Sequence, residues 1–284
     1  VPFTTLISVA ELRDHVYDAG WCVLDCRHDL MDHAAGRRAY DAGHIPGAQF
    51  AAIETDLSGP KTGRNGRHPL PARETLSHRF GAWGIDNTTQ IVAYDAQGGQ
   101  FAVRLWWLAR WLGHTKIALL DGGWPAWLAT TDWSSTEPGE RPGRNFVALE
   151  SLVRMVDAAA VQARDAQALL IDARAPERYR GEVEPIDPVA GHIPGALNRF
   201  WQANLADAAC GTFKSPQALR AEFDALLAGR APSQLIAHCG SGVTACHHLL
   251  AMAYAGLPGA ALYAGSWSEW IADPARPVAT GAVG

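Results

Sequence analysis

The chain has 284 residues, 48% of them hydrophobic and 19% charged, which is room for two ordinary folded domains. A formal charge of −5 with no Lys/Arg block excludes a surface built to attract nucleic acid. No apolar run approaches the roughly 18 residues needed to cross a membrane, and the opening ValProPheThrThrLeuIle lacks the build of a secretory signal, so a cytoplasmic protein without a membrane partner is expected.

In chain order, Val9–Ala19 reads as a helix with Ser8 as N-cap, followed by an apolar strand at 22–25. Helices at Arg73–Trp83 and Phe101–Leu112 flank a strand at 90–94, and a strand at 117–120 follows. The second half begins with a helix at Leu149–Arg164 and a strand at 168–171. Pro216–Ala228 reads as a helix capped by Ser215, with Pro216 at its first position. A strand at 234–238, a helix at Ala245–Ala255 and a strand at 260–263 complete it. This alternation predicts an α/β fold on mainly parallel sheets, whose ligands sit beyond the carboxyl ends of the strands.

The chain is also written twice. GlyHisIleProGlyAla stands at 43–48 and again at 191–196, each copy preceded by a strand ending in Asp, ValLeuAspCysArg at 23–27 and LeuIleAspAlaArg at 170–174. LeuAspGlyGlyTrpProAlaTrp at 120–127 matches TyrAlaGlySerTrpSerGluTrp at 263–270. With the strand–loop–helix between them, these landmarks keep one order and describe a duplicated domain of about 130–140 residues. The stretch 130–145, rich in Pro, Gly and charge, reads as the linker, giving domains at 1–129 and 146–284.

Five cysteines, Cys22, Cys26, Cys210, Cys239 and Cys246, are an odd number with no CxxC pair and no zinc-finger spacing. Cys22 and Cys26 suit core packing. His247 and His248 lack a third ligand at a suitable spacing, so neither a metal nor a cofactor is expected. Cys239 stands apart, in HisCysGlySerGlyValThr at 238–244 between a strand and a helix. Loop N–H groups and the positive helix end converge there and favour the nucleophilic thiolate; a buried structural cysteine is the competing reading. The matching position in the first copy is Asp95, followed by AlaGlnGlyGlyGlnPheAla. One nucleophile is thus expected, in the second half, with the first half supporting the site or supplying one wall.

The duplicated domains, the paired GlyHisIleProGlyAla, the single loop cysteine and the closing GlySerTrpSerGluTrp together resemble the two-domain rhodanese-like sulfurtransferases. The loop CysGlySerGlyValThr is similar to that of the 3-mercaptopyruvate sulfurtransferase branch. The resemblance implies two tandem rhodanese-like domains, the first inactive and the second active, and sulfur transfer through a cysteine persulfide. It implies a small-molecule sulfur donor, a thiol, thioredoxin-like or cyanide acceptor, and no cofactor. Thiosulfate-preferring animal members carry basic residues where this chain has Gly240 and Ser241. Two other readings fail on the loop. A rhodanese-like phosphatase needs a longer loop ending in Arg, where residue 245 is Ala, and a serine-hydrolase elbow fails because residue 239 is Cys. A thiosulfate:cyanide sulfurtransferase and a persulfide-carrying adaptor for a protein partner stay open.

In that mechanism Cys239 attacks the donor sulfur, and the N–H groups of Gly240, Ser241, Gly242, Val243 and Thr244 hold the thiolate and persulfide charge. The family's Ser–His–Asp relay carries over to Ser241, to His68 in ArgHisProLeuPro, and to Glu54, which replaces Asp with one methylene more. Arg178 falls at a substrate-binding position and suits a carboxylate. A second arginine of that branch has Ile186 in its place. Asp172 is expected to order the loop and Arg174 to pair with a carboxylate. His44 and His192, present in both copies, read as turn structure. Trp106, Trp107, Trp124, Trp127, Trp267 and Trp270 read as packing, with one or two free to line the donor pocket.

Overall fold

The structure, a computed structural model, describes residues 1–282; residues 283 and 284, the end of the expected second domain, lie outside the described residues. The chain forms two compact units, one of residues 1–59, 71–152 and 205–213, the other of 60–70, 153–204 and, among the described residues, 214–282.

The first unit holds strands β1 (Leu6–Ile7), β2 (Trp21–Asp25), β3 (Gln49–Phe50), β4 (Gln90–Tyr94) and β5 (Ile117–Leu120). The second holds β6 (Arg154–Val156), β7 (Leu169–Asp172) and β8 (Leu197–Asn198). A two-stranded hairpin, β9 (Leu205–Asp207) and β10 (Thr212–Phe213), returns to the first unit, and β11 (Leu235–His238) and β12 (Ala261–Tyr263) complete the second. Helices α1 (Val9–Arg13), α2 (Ala35–Ala42), α3 (Arg73–Ala82), α4 (Ala102–Trp111) and α5 (Gly123–Thr130) belong to the first half. Those of the second are α6 (Ala158–Gln162), α7 (Pro176–Tyr179), α8 (Pro216–Leu227), α9 (Ala245–Tyr254) and α10 (Ser266–Trp270).

Each unit is built on a five-stranded sheet. The orders are β1-β5-β4-β2-β3 and β6-β12-β11-β7-β8, and every pairing within them is parallel. The two orders are the same once the duplication is allowed for. Central strands such as Gln90–Tyr94 and Leu235–His238 are buried throughout, as parallel strands covered on both faces must be. Val23, Val92, Ala118 and Trp127 pack one core; Leu170, Ile236, Trp267 and Trp270 pack the other. The indoles of Trp106, Trp127, Trp267 and Trp270 each donate to a backbone carbonyl, so these side chains bury their rings without orphaning the N–H.

The duplication reaches single contacts. Asp25 holds Arg27 as Asp172 holds Arg174, and the two guanidiniums donate to the carbonyls of Gly43 and Gly191. His44 and His192 stack on Tyr40 and Tyr179 and bond those tyrosines' carbonyls through Nδ1.

Four expectations change. The helix expected at Leu149–Arg164 is replaced by strand β6 and the short helix α6, capped by Asp157. Arg154–Val156 pairs with β12, whose open edge offers hydrogen bonds that outweigh local helix preference. The helix from Val9 stops at Arg13, after a Ser8–Glu11 capping box, because the following residues form turns. The stretch 130–145 is tied into the first unit rather than free: Ser135 and His44 exchange backbone hydrogen bonds, Gly139 N–H reaches Ala48, and Arg144 pairs with Asp86. Residues 60–70, within the expected first domain, belong to the second unit.

Candidate active site

Strand β11 ends at His238, residues 239–244 turn, and α9 begins at Ala245. Cys239 is 1% exposed, and its Sγ accepts the Gly242 N–H at 3.2 Å. Gly242 has φ +77, and a Cβ there would lie 2.1 Å from the Ala264 carbonyl oxygen, so only glycine lets the loop fold back onto the sulfur. On the other side, Trp267 and Ser268 N–H groups bond the carbonyls of Cys239 and Gly240 at 3.0 and 2.9 Å. The buried Ser266 takes the Cys239 N–H on its Oγ at 3.1 Å, and its hydroxyl stands 4.0 Å from Sγ. Ser266 holds φ +54, a conformation costing a residue with a Cβ about 1–2 kcal/mol. Its counterpart Gly123 adopts φ +56 at no such cost, so the serine hydroxyl is the feature particular to the second copy.

The first copy shows what this loop geometry does with a negative group. The Asp95 carboxylate accepts N–H bonds from Gln97, Gly99, Phe101 and Ala102 at 2.8–3.0 Å. Burial raises its pKa above the ordinary carboxylate value, although these four donors pull it down.

His68 and Ser241 meet in the second unit, His68 Nδ1 lying 2.7 Å from Ser241 Oγ, both side chains buried. The segment carrying His68 is seated against the start of α10: Arg67 N–H donates to Ser268 Oγ, and a Cβ on Gly66 (φ +83) would lie 2.9 Å from the Gly265 carbonyl oxygen.

Around the loop runs a row of alternating charges. The Asp172 carboxylate grips Arg174, whose Nη1 lies 3.4 Å from Glu184. Glu184 Oε1 takes Arg178 Nη2 at 2.7 Å, Arg178 reaches Asp187 Oδ2 at 3.2 Å, and Asp187 Oδ1 bonds Arg67. Burial would raise the Asp172 pKa, but the charges of Arg174 and His238 and the hydrogen bonds from Arg174 outweigh it and bring it to about 2. Burial, and then the neighbouring Arg178, pull the Arg67 pKa down. His238, beside the cysteine, is fully buried with Nε2 3.8 Å from Asp172 Oδ2, and burial lowers its pKa despite that carboxylate.

The second unit therefore brings together Cys239, Gly240, Ser241, Gly242, His68, Arg178 and Asp172. Val243 and Thr244 close the loop, their carbonyls accepting the N–H groups of Cys246 and His247. Asp172 bonds Arg174 through both side chain and backbone turn rather than bonding the loop. Glu54 belongs to the first unit, with His28 Nε2 and His33 Nε2 at 4.0 and 3.8 Å. These three form the one group of ligand-type side chains close enough to share a metal ion among the described residues, a grouping that sequence spacing did not suggest. His247 and His248 are buried against Asn204 instead. Cys22 is a core thiol pushed up to about 12 by burial, and Cys210 is exposed with its thiol on Asp207.

Arg67, Glu184, Asp187 and Ser266 were missed in the sequence. Arg67 abuts His68 in GlyArgHisProLeuPro, and alignment of Ser266 on Gly123 was a signal in hand. Glu184 and Asp187 offered only their nearness to Arg178.

The Rhodanese family, described as the rhodanese-like domain, matches residues 8–130 and again 150–273. A probable 3-mercaptopyruvate sulfurtransferase of Pseudomonas aeruginosa is 49% identical over 285 residues, covering 97% of this chain and 98% of that protein. A putative thiosulfate sulfurtransferase, SseB, of Mycobacterium tuberculosis is 39% identical, covering 97% of each. Among solved structures, the 3-mercaptopyruvate enzyme SseA from Escherichia coli superposes with a TM-score of 0.77 at 32% identity, covering 94% of this chain and all of that one. Two family matches, full-length relatives and a shared duplicated sheet order lead to one conclusion: the chain belongs to the two-domain rhodanese-like sulfurtransferases.

Proposed function

We propose that this sulfurtransferase moves sulfur from 3-mercaptopyruvate to a thiophilic acceptor (a thiol, a thioredoxin-like protein or cyanide) through a Cys239 persulfide. The observation carrying this reading is the Ser241–His68 hydrogen bond in a loop that presents a buried thiol with no basic residue.

Cys239 thiolate attacks the donor sulfur, an S–S bond forms, and the C–S pair leaves with carbon as the enolate of pyruvate. The proton released from the donor thiol returns to that carbon, and Ser241, polarised by His68, is placed to pass it. The product pair is pyruvate and a cysteine persulfide anion. The Gly242 N–H then faces sulfur that carries charge in both thiolate and persulfide states, with Ser266 Oγ, which bonds the Tyr263 carbonyl, 4.0 Å from that sulfur. In the second half-reaction an acceptor thiolate or cyanide attacks the outer sulfur, and the Cys239 thiolate leaves. Arg178 supplies a guanidinium for the donor carboxylate.

Thiosulfate as donor is the second reading, favoured by Ile186 at a place where the mercaptopyruvate branch carries arginine and by the name of the Mycobacterium tuberculosis relative. Steady-state rates with each donor, and with cyanide or a thiol as acceptor, separate the two. A higher kcat/KM for mercaptopyruvate is expected; a higher one for thiosulfate overturns the donor assignment. Mass spectrometry after donor alone should find one added sulfur on Cys239, and its absence overturns the persulfide.

A further inference from the structure

We propose that Asp187, together with Glu184, is a specificity-determining positioning residue. It gathers Arg67 and Arg178 into a two-pronged cation over Gly240 while cancelling most of their charge, so the site prefers a monoanionic carboxylate donor to a dianionic one. The inference rests on the reading that Cys239 is the nucleophile and takes a carboxylate-bearing donor.

The geometry begins with one carboxylate shared by two guanidiniums. Asp187 Oδ1 bonds Arg67 Nη1 and its Oδ2 lies 3.2 Å from Arg178 Nη2, with the Asp187 side chain only 2% exposed. Arg67 and Asp187 stand 120 residues apart in the chain. Arg178 Nε and Nη2 are taken by Glu184 and Asp187, and Arg67 Nη1 by Asp187, so the nitrogens left over at the loop are Arg178 Nη1 and Arg67 Nη2. A Cβ built on Gly240 would lie 2.9 Å from Arg67 Nη2 and 3.8 Å from both Nη atoms of Arg178. Gly240 directly follows the cysteine, so a donor whose sulfur meets Cys239 brings its anionic end within reach of both forks. Arg67 thereby supplies the second guanidinium at a site where Ile186 lacks one.

Charge decides the selectivity. Arg67, Arg174 and Arg178 face Asp172, Glu184 and Asp187, three cations against three anions, all six in the row of contacts already described. The row has directional donors but little net field. A planar carboxylate can use those donors with a single charge. Thiosulfate brings a second charge that this balanced site, already next to the Cys239 thiolate, does little to offset.

The test uses the full-length chain and compares kcat and KM for 3-mercaptopyruvate and thiosulfate in wild type and Asp187→Asn, at low and high ionic strength. One anion lost, leaving three cations against two, should lower the thiosulfate KM about tenfold at low salt. The mercaptopyruvate KM should not fall, because its arginines lose their common anchor, and both kcat values should stay within about twofold. The tenfold swing should shrink at high salt. An unchanged donor ratio, or equal loss of kcat with both donors, overturns the proposal. If Asp187→Asn does not fold, Arg67→Gln on a partly exposed side chain gives the reading: mercaptopyruvate KM should rise about tenfold at constant kcat, and an unchanged KM overturns it. The wild-type donor ratio tests the function proposed above. The change of that ratio in the variant tests Asp187 alone, so the two failures are distinguishable.

Discussion

The Nδ1 of His68 stands 2.7 Å from the Oγ of Ser241, 173 residues farther along the chain, inside one compact unit. A hydroxyl held by an imidazole can shuttle the proton that an enolate leaving group needs and that sulfite, leaving from thiosulfate, does not. Ser241→Ala should therefore cut kcat with mercaptopyruvate about a hundredfold while leaving thiosulfate turnover within about threefold. Equal loss with both donors refutes the relay.

Cys239→Ala should reduce transfer from either donor to the rate without enzyme, with the fold retained by circular dichroism. Cys246→Ala, which removes a buried thiol bonded to the Gly242 carbonyl, should cost stability and keep turnover. Retained turnover in Cys239→Ala would sink the covalent mechanism.

Ser266→Gly separates hydroxyl chemistry from backbone strain. Glycine takes φ +54 freely, as Gly123 does at +56, but it also strips the buried Cys239 N–H of its acceptor, so the relieved strain and the lost hydrogen bond offset and unfolding free energy should stay within about 1 kcal/mol of wild type. Persulfide formation, which loses the hydroxyl near Sγ, should slow about tenfold. Unaltered rates would leave Ser266 a purely structural residue.

Asp172→Asn leaves Arg174 buried without its main anion and should destabilise the protein by about 3–5 kcal/mol in urea unfolding. Asp25→Asn, in the copy without a cysteine, should do the same to Arg27, because the two pairs are built alike. A loss confined to Asp172→Asn would mark that pair as serving the cysteine loop.

Acid should weaken the fold from near neutrality. Burial drives the His248 pKa well below 6.5, and burial also lowers that of His238. For a histidine held neutral, the unfolded chain binds the proton first, so stability is full above about 6.5 and declines as pH falls through that value. Unfolding free energy should drop between pH 7 and pH 5, and His248→Gln should flatten that slope. The Asp172 contribution follows at lower pH: its folded pKa of about 2 lies below the unfolded one, so that stability is lost as pH falls from about 4 toward 2. A pH-independent unfolding curve between 7 and 5 contradicts the buried neutral histidines.

What the sequence determined alone was the duplication, the parallel α/β halves and the single loop cysteine, because each is carried by residues next to one another. A strand such as Leu235–His238 and the loop after it need only local apolar runs and glycines. Edge strands β1, β3, β6 and β8 have two or three residues each, too few for a pattern, and exist only because a neighbouring strand offers hydrogen bonds. The same holds for the site. Cys239, Ser241 and Gly242 were legible as one stretch, and His68 through family resemblance. That residues 60–70 fold with the second unit, and that Asp187 joins Arg67 to Arg178 over Gly240, was decided by tertiary structure. Charge pairing across 120 residues of chain leaves no mark in local spacing, since hydrogen bonds between distant side chains form only once the backbone has brought them within reach.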